Sequence, residues 1–212
     1  MIPKHRSLFC VALLAFAALA PIDAATVYRE SVSGDLSNSG LTPTVLPVSV
    51  GSNQIFGTTG RVTATDRDYF TITVPTGLQI SEILELGGTA VGDAVSFFGI
   101  QRGSQVTVPT NAATADGLLG WTHYGPVTSE TDIMPELQVP AEGSTGFTGA
   151  LPAGNYAFWI QDFGAGTFSY AFDVRLTAAT TAPVPEPASY ASALLGALFL
   201  ALVLRRYRHS HL

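Results

Sequence analysis

The residues able to do chemistry are few and scattered. His123 is the only histidine between residues 25 and 183, and a serine or cysteine hydrolase needs such a base beside its nucleophile. The single cysteine, Cys10, lies in an apolar run near the N-terminus, and no Gly-x-Ser-x-Gly elbow occurs. His123 stands between Trp121 and Tyr124 and reads as a structural histidine, so no catalytic residue is assigned. Zinc wants clustered Cys and His, which are absent. Calcium takes oxygen donors. Asp66 and Asp68, two apart, are weak candidates for it, while Asp162 and Asp173 lie beside or on strands and no EF-hand spacing occurs. The plainer reading is that these aspartates start turns and keep the surface soluble, so no metal and no other cofactor is expected. Paired carboxylates for glycoside hydrolysis are defined by a separation in space, but the acids here are sparse and sit mostly beside Gly, Thr or Ser, as in ordinary turns. The expectation is a protein that is not an enzyme, with a secreted hydrolase as the remote alternative.

Aromatic residues offer a second kind of chemistry. Trp159 has the opposite parity to Phe158 and Ile160; if those point inward, its indole points outward, where it could stack on a sugar ring. Trp121 and Tyr124 are further candidates for carbohydrate stacking. The competing reading is that both faces of the sheet are covered.

The elements that must position these residues read as strands. In residues 167–177, Phe168, Tyr170, Phe172, Val174 and Leu176 occupy one parity and polar or small residues the other, the mark of a half-buried strand. Residues 155–161 read as its hairpin partner through the glycine-containing 162–166. Residues 68–74 alternate Phe70, Ile72 and Val74, and Pro75-Thr76-Gly77 signals a turn. Leu78, Ile80, Leu84 and Leu86 then share a parity that Glu82 interrupts, which predicts a bend or bulge. Residues 94–101 form another strand, residues 45–50 an edge strand limited by Pro47, and residues 118–124 a strand or packed loop. No segment here shows a helical period. The fold class expected is all-β: an antiparallel, jelly-roll-like β-sandwich.

Composition agrees. Charged residues are 12% of the 212-residue chain, about half the usual share near 25%, which excludes charge-driven disorder. The net charge is −6 and Lys4 is the only lysine, so no nucleic-acid partner is expected. Residues 25–183 hold five arginines against fourteen acids, a surface that repels anionic polymers at low salt.

The ends read differently. Lys4 and Arg6, the apolar residues 8–20 and Pro21-Ile22-Asp23-Ala24-Ala25 make a signal peptide over residues 1–24. Near the C-terminus, Val184-Pro185-Glu186-Pro187 precedes an apolar run over 188–204 and the basic tail Arg205-Arg206-Tyr207-Arg208. Seventeen helical residues rise about 26 Å, the short end of what crosses a bilayer, and the arginines would stay cytoplasmic.

These three features in this order, over residues 184–208, resemble the PEP-CTERM sorting signal of Gram-negative bacteria. The resemblance implies an exosortase as partner. This membrane transpeptidase with a cysteine nucleophile recognises the Pro-Glu-Pro region, removes helix and tail, and passes the protein to the cell surface or matrix. It further implies export across the inner membrane, a transient membrane-anchored stage, and association with exopolysaccharide and biofilm. Val184, Pro185, Glu186, Pro187, Arg205 and Arg206 would form the recognition site. A retained membrane anchor is the alternative.

Residues 60–177 resemble the pre-peptidase C-terminal domain, a small β-sandwich. Asp66-x-Asp68-Tyr69-Phe70, Leu151-Pro-Ala-Gly-Asn-Tyr156 and the strand around Tyr170 carry the likeness, although Phe168-Ser169 stands where glycine is usual. That resemblance implies a fold and no activity. Residues 25–59 are read as a Ser/Thr/Gly-rich segment with an edge strand, and 178–183 as a linker. The functional expectation is a non-enzymatic surface or matrix protein, with a carbohydrate-binding module for the exopolysaccharide as the alternative.

Overall fold

A computed structural model describes residues 24–92, 96–125, 128–180 and Leu195. The signal peptide read over 1–24 (Ala24 apart) and the sorting signal read over 184–208 (Leu195 apart) lie outside the described residues. Among the described residues no helix is long and apolar enough to cross a membrane. The chain divides into two compact units, Met1–Thr177 and Ala178–Leu212, and the architecture that follows is that of the first.

Half of the described residues are strand and 7% helix, so the β expectation holds. The order is β1 (Ala25–Arg29), α1 (Glu30–Ser33), β2 (Thr44–Val45), β3 (Asn53–Arg61), β4 (Thr65–Glu85), β5 (Ser96–Arg102), β6 (Gly120–Thr122), α2 (Met134–Gln138), β7 (Leu151–Asp162) and β8 (Gly166–Ala178). The two helices span barely a turn each, too short to leave a period in the sequence. The strands form one unclosed sheet in the order β1-β3-β8-β4-β7-β5-β6, with β2 on β4. It is mixed rather than purely antiparallel, because β1 runs parallel to β3 and β2 parallel to β4. Residues 30–52 make a crossover between β1 and β3, and a parallel pair requires a connection of that kind.

Three sequence expectations change. Pro75-Thr76-Gly77 does not reverse the chain. β4 runs straight through with a register shift between Val74 and Gln79; its first part pairs with β7, and Ser81 and Glu82 farther on contact Arg175 of β8. Past the register shift the buried residues are Ile80, Ile83 and Glu85 rather than Leu84 and Leu86. Next, β7 and β8 are no hairpin. Both edges of β7 are taken, by β4 and β5, so the turn after Asp162 carries the chain to a new neighbour, and β8 pairs with β3 instead. Asp162 holds that turn by accepting N–H bonds from Gly164 (2.6 Å) and Gly92 (2.9 Å). Finally, residues 25–59 are integral: β3 pairs with β8 from Gln54 to Gly60.

The apolar parity read in β8 is buried at Tyr170, Phe172, Val174 and Leu176, but Ala171 and Asp173 of the other parity are buried too, so the middle of the strand is covered on both faces. Phe172 meets Phe98 of β5 at 4.7 Å between centroids, although β4 and β7 separate their strands in the sheet. The sheet therefore curls over so that its two ends share one core. Across the β4–β7 register Phe70 stacks on Phe158 at 4.7 Å, a cross-strand pair of the kind that fixes register. Tyr156 donates from its hydroxyl to the Pro152 carbonyl at 2.8 Å, and Gly154, at φ +150°, lets the strand turn beneath it. This bond is the mechanical content of the Gly-x-Tyr motif.

A second apolar layer lies on the other face of β4, β7 and β5. Val106, Val108 and Leu118 of the long loop cover Tyr69, Ala157 and Trp159 there.

Candidate functional site

Two places bring chemically able side chains together. The first is acidic and gathers residues from three parts of the chain. Asp68 has the same parity as Phe70 and Ile72, so its carboxyl points into the core layer, where it is fully buried. Glu30 opens α1 directly after β1. The β1–β3 register, which pairs Arg29 with Phe56, sets Glu30 beside Gly57 and Thr58. Asp35 follows α1. One carboxylate oxygen from each of Glu30, Asp35 and Asp68 lies within 4.8 Å of the others. Glu30 and Asp35 line a cavity of about 590 Å³, together with Arg29, Tyr170 and the side-chain-free Gly57, Gly87 and Gly88.

Two of the three acids are held by donors. Glu30 Oε2 accepts the Thr58 N–H at 2.7 Å and Oε1 the Leu36 N–H at 3.2 Å. Asp68 Oδ2 accepts the Tyr170 hydroxyl at 2.7 Å, whereas its buried Oδ1 has no donor. Gly57 is required here. A Cβ on it would stand 2.3 Å from the Tyr170 oxygen and 2.8 Å from Glu30 Cδ. Burial above all, then the neighbouring charge of Glu30, pushes the Asp68 carboxyl up to about 9; the Tyr170 bond works against this. Glu30 is raised too, chiefly by burial, while the Thr58 and Leu36 N–H groups oppose the rise. The proximity of the two carboxyls raises Asp68 further and works the other way on Glu30.

Of the two aspartates singled out from sequence, only Asp68 belongs to this cluster. Asp66 accepts from the Asn38 amide at 3.2 Å near the surface. Glu30 and Asp35 escaped sequence reasoning, because only the parallel β1–β3 crossover brings them near Asp68. Asp173 is buried as a structural anchor: it accepts the Asn53 N–H at 2.8 Å and Arg175 Nε at 3.0 Å.

The second place is an aromatic groove of about 250 Å³, lined among others by Phe97, Trp121, His123, Trp159 and Phe163. It corrects two of the three stacking candidates. Trp159 does lie opposite in parity to the core residues, but at 5% exposure it presents no free face to a sugar, because the 103–119 loop, Phe97 and Trp121 cover it. Tyr124 lies on the opposite side, in the main core, edge-on to Phe172 at 5.2 Å. Trp121 remains, half-buried, stacked on Phe97 and tied by its N–H to the Ala141 carbonyl at 3.0 Å. Phe163, 46% exposed and not foreseen from sequence, completes the rim. His123 donates through Nδ1 to the Ser96 carbonyl at 2.5 Å and packs edge-on to Trp121, which fixes the imidazole as part of the wall.

No family model, no curated protein and no solved structure matches the chain. The functional reading rests on the residues themselves.

Proposed function

We propose that the chain is an exported, non-enzymatic protein of the cell surface or extracellular matrix. On this reading an exosortase sorts it through Val184, Pro185, Glu186 and Pro187, with Arg205 and Arg206 holding the tail in the cytoplasm until processing. The observation that carries the proposal is the order of features in the sequence: a basic and apolar N-terminus, the Pro-Glu-Pro motif, an apolar run and terminal arginines. The fold supports it in one respect. The last strand ends at Ala178, leaving residues 179–183 between it and Val184, so the motif begins just past the folded unit, as a processing enzyme requires. The mixed sheet, curled so that Phe98 meets Phe172, supports reading the exported unit as a two-layered, jelly-roll-like β-sandwich akin to the pre-peptidase C-terminal domain.

Intact mass of the protein from cells and from medium tests the sorting account. Loss of both termini is expected. A tail retained in all extracellular protein overturns removal by an exosortase in favour of a lasting anchor.

The aromatic groove favours a second reading, a carbohydrate-binding module. The acidic balance of residues 25–183 favours neutral sugars, stacked on Trp121 and Phe163. Glycan-array binding that Trp121→Ala abolishes would establish it.

A further inference from the structure

We propose that Glu30, Asp35 and Asp68 form a binding site for a hard divalent cation of the calcium class, which ties the N-terminal strand and helix to the middle of β4. The donor set contains only carboxylate oxygens, with no nitrogen or sulfur, and such sets select calcium or magnesium over transition metals. The three oxygens lie within 4.8 Å of one another. Calcium–oxygen bonds of about 2.3–2.6 Å require ligand oxygens no more than about 4.6–5.2 Å apart, a limit these three meet.

Asp68 Oδ1 points to such a ligand independently of the clustering. It is fully buried and no hydrogen-bond donor reaches it. Buried carboxylate oxygens are satisfied in native proteins, and only a proton or a cation can satisfy this one against Glu30. Among the described residues the ion pairs are those of Arg175, far along the chain from the cluster, so no side-chain cation neutralises the three acids. Arg29 lines the same cavity, but its guanidinium lies over the Phe56 ring at 3.7 Å. Glu30 Oε1 accepts only the Leu36 N–H and keeps a lone pair for the ion, whereas Oε2 accepts both the N–H and the hydroxyl of Thr58. Waters entering through the cavity beside Gly57, Gly87 and Gly88 would fill the remaining positions of a six- to eight-coordinate ion.

Three acids with an open side belong to the weak class of sites, with dissociation constants of about 10⁻⁴–10⁻³ M typical of extracellular modules. Such a site is empty at cytosolic calcium and filled outside the cell. Its existence does not depend on the export reading, and only the place where it fills does.

The test is calorimetric titration of calcium into the full chain, stripped with chelator and held in detergent, together with the thermal midpoint in chelator and in calcium. One site per chain in that affinity range is expected, with a midpoint that climbs as calcium is added. Asp35→Asn, at an exposed position, should weaken binding by at least about tenfold, the loss typical of even an outer-shell partner. Asp68→Asn removes the ionisable group; at neutral pH in chelator its midpoint should be no lower than the parent's, and it should lose the calcium response. No heat and no shift up to about 10 mM calcium, ten times the weak end of the expected range, would overturn the site. So would a calcium response that both variants retain.

Discussion

The Tyr170 hydroxyl donates to Asp68 Oδ2 at 2.7 Å, joining β8 to β4 across 102 positions of chain. Both groups are buried, so neither finds water when the other is removed. Tyr170→Phe leaves the Asp68 carboxyl without its one donor. A loss of about 1–3 kcal/mol in unfolding free energy is expected, read from denaturant melts. An unchanged midpoint would show that another donor reaches the carboxyl.

Acid should stabilise the cation-free protein. The unfolded Asp68 ionises near 3.8 and the folded one at about 9, so between those values the folded state keeps a proton that the unfolded state has released. Stability is full below the lower value, falls as pH rises through the window, and levels off above about 9. Glu30, raised in the same direction, adds to the slope; Asp66 and Tyr170 are the other groups that act on Asp68, and Asp35 completes the cluster. Urea midpoints taken in chelator across this range should decline with pH, and Asp68→Asn should flatten the decline.

Gly57→Ala forces a methyl group against the Tyr170 oxygen and Glu30. The expected cost is about 1–3 kcal/mol, the usual penalty of overpacking. The calcium response should weaken with it, because Glu30 must move. Gly77→Ala meets no atom within 4 Å but stands at φ +83°, so it serves as a control for backbone strain without crowding.

The two tryptophans should separate cleanly. Trp159→Ala removes a buried indole that bonds Gln161 at 3.1 Å and stacks on Tyr69, so about 3–5 kcal/mol should be lost. Trp121→Ala should cost clearly less, since that ring is half open to solvent. Equal losses would mean that the long loop clamps both rings alike.

Strand existence was legible because period-two alternation is local: Phe70, Ile72 and Val74 in β4 and Tyr170 through Leu176 in β8 are buried as their parity requires. Pairing was not legible. The short glycine-containing link from Asp162 to Gly166 looks like a hairpin turn, yet β7 already had two neighbours, a fact that belongs to residues far away in sequence. Trp159 was read correctly in parity and wrongly in exposure, since parity says which face a residue occupies and nothing about what covers that face. For the acidic site the aspartate at 68 was visible, while Glu30 and Asp35 reach it only through a parallel pairing that short-range patterns do not encode.

β8, the thirteen residues from Gly166, is inserted between β3 and β4, and no earlier strand takes its place. A chain that emerges N-terminus first through a narrow pore therefore cannot close its core until almost all of this unit has passed. Most of its stabilising partners are distant in sequence, so closure is slow as well as late. On the export reading proposed above, the polypeptide would stay threadable throughout its passage, and the arrival of β8 would complete the fold on the far side.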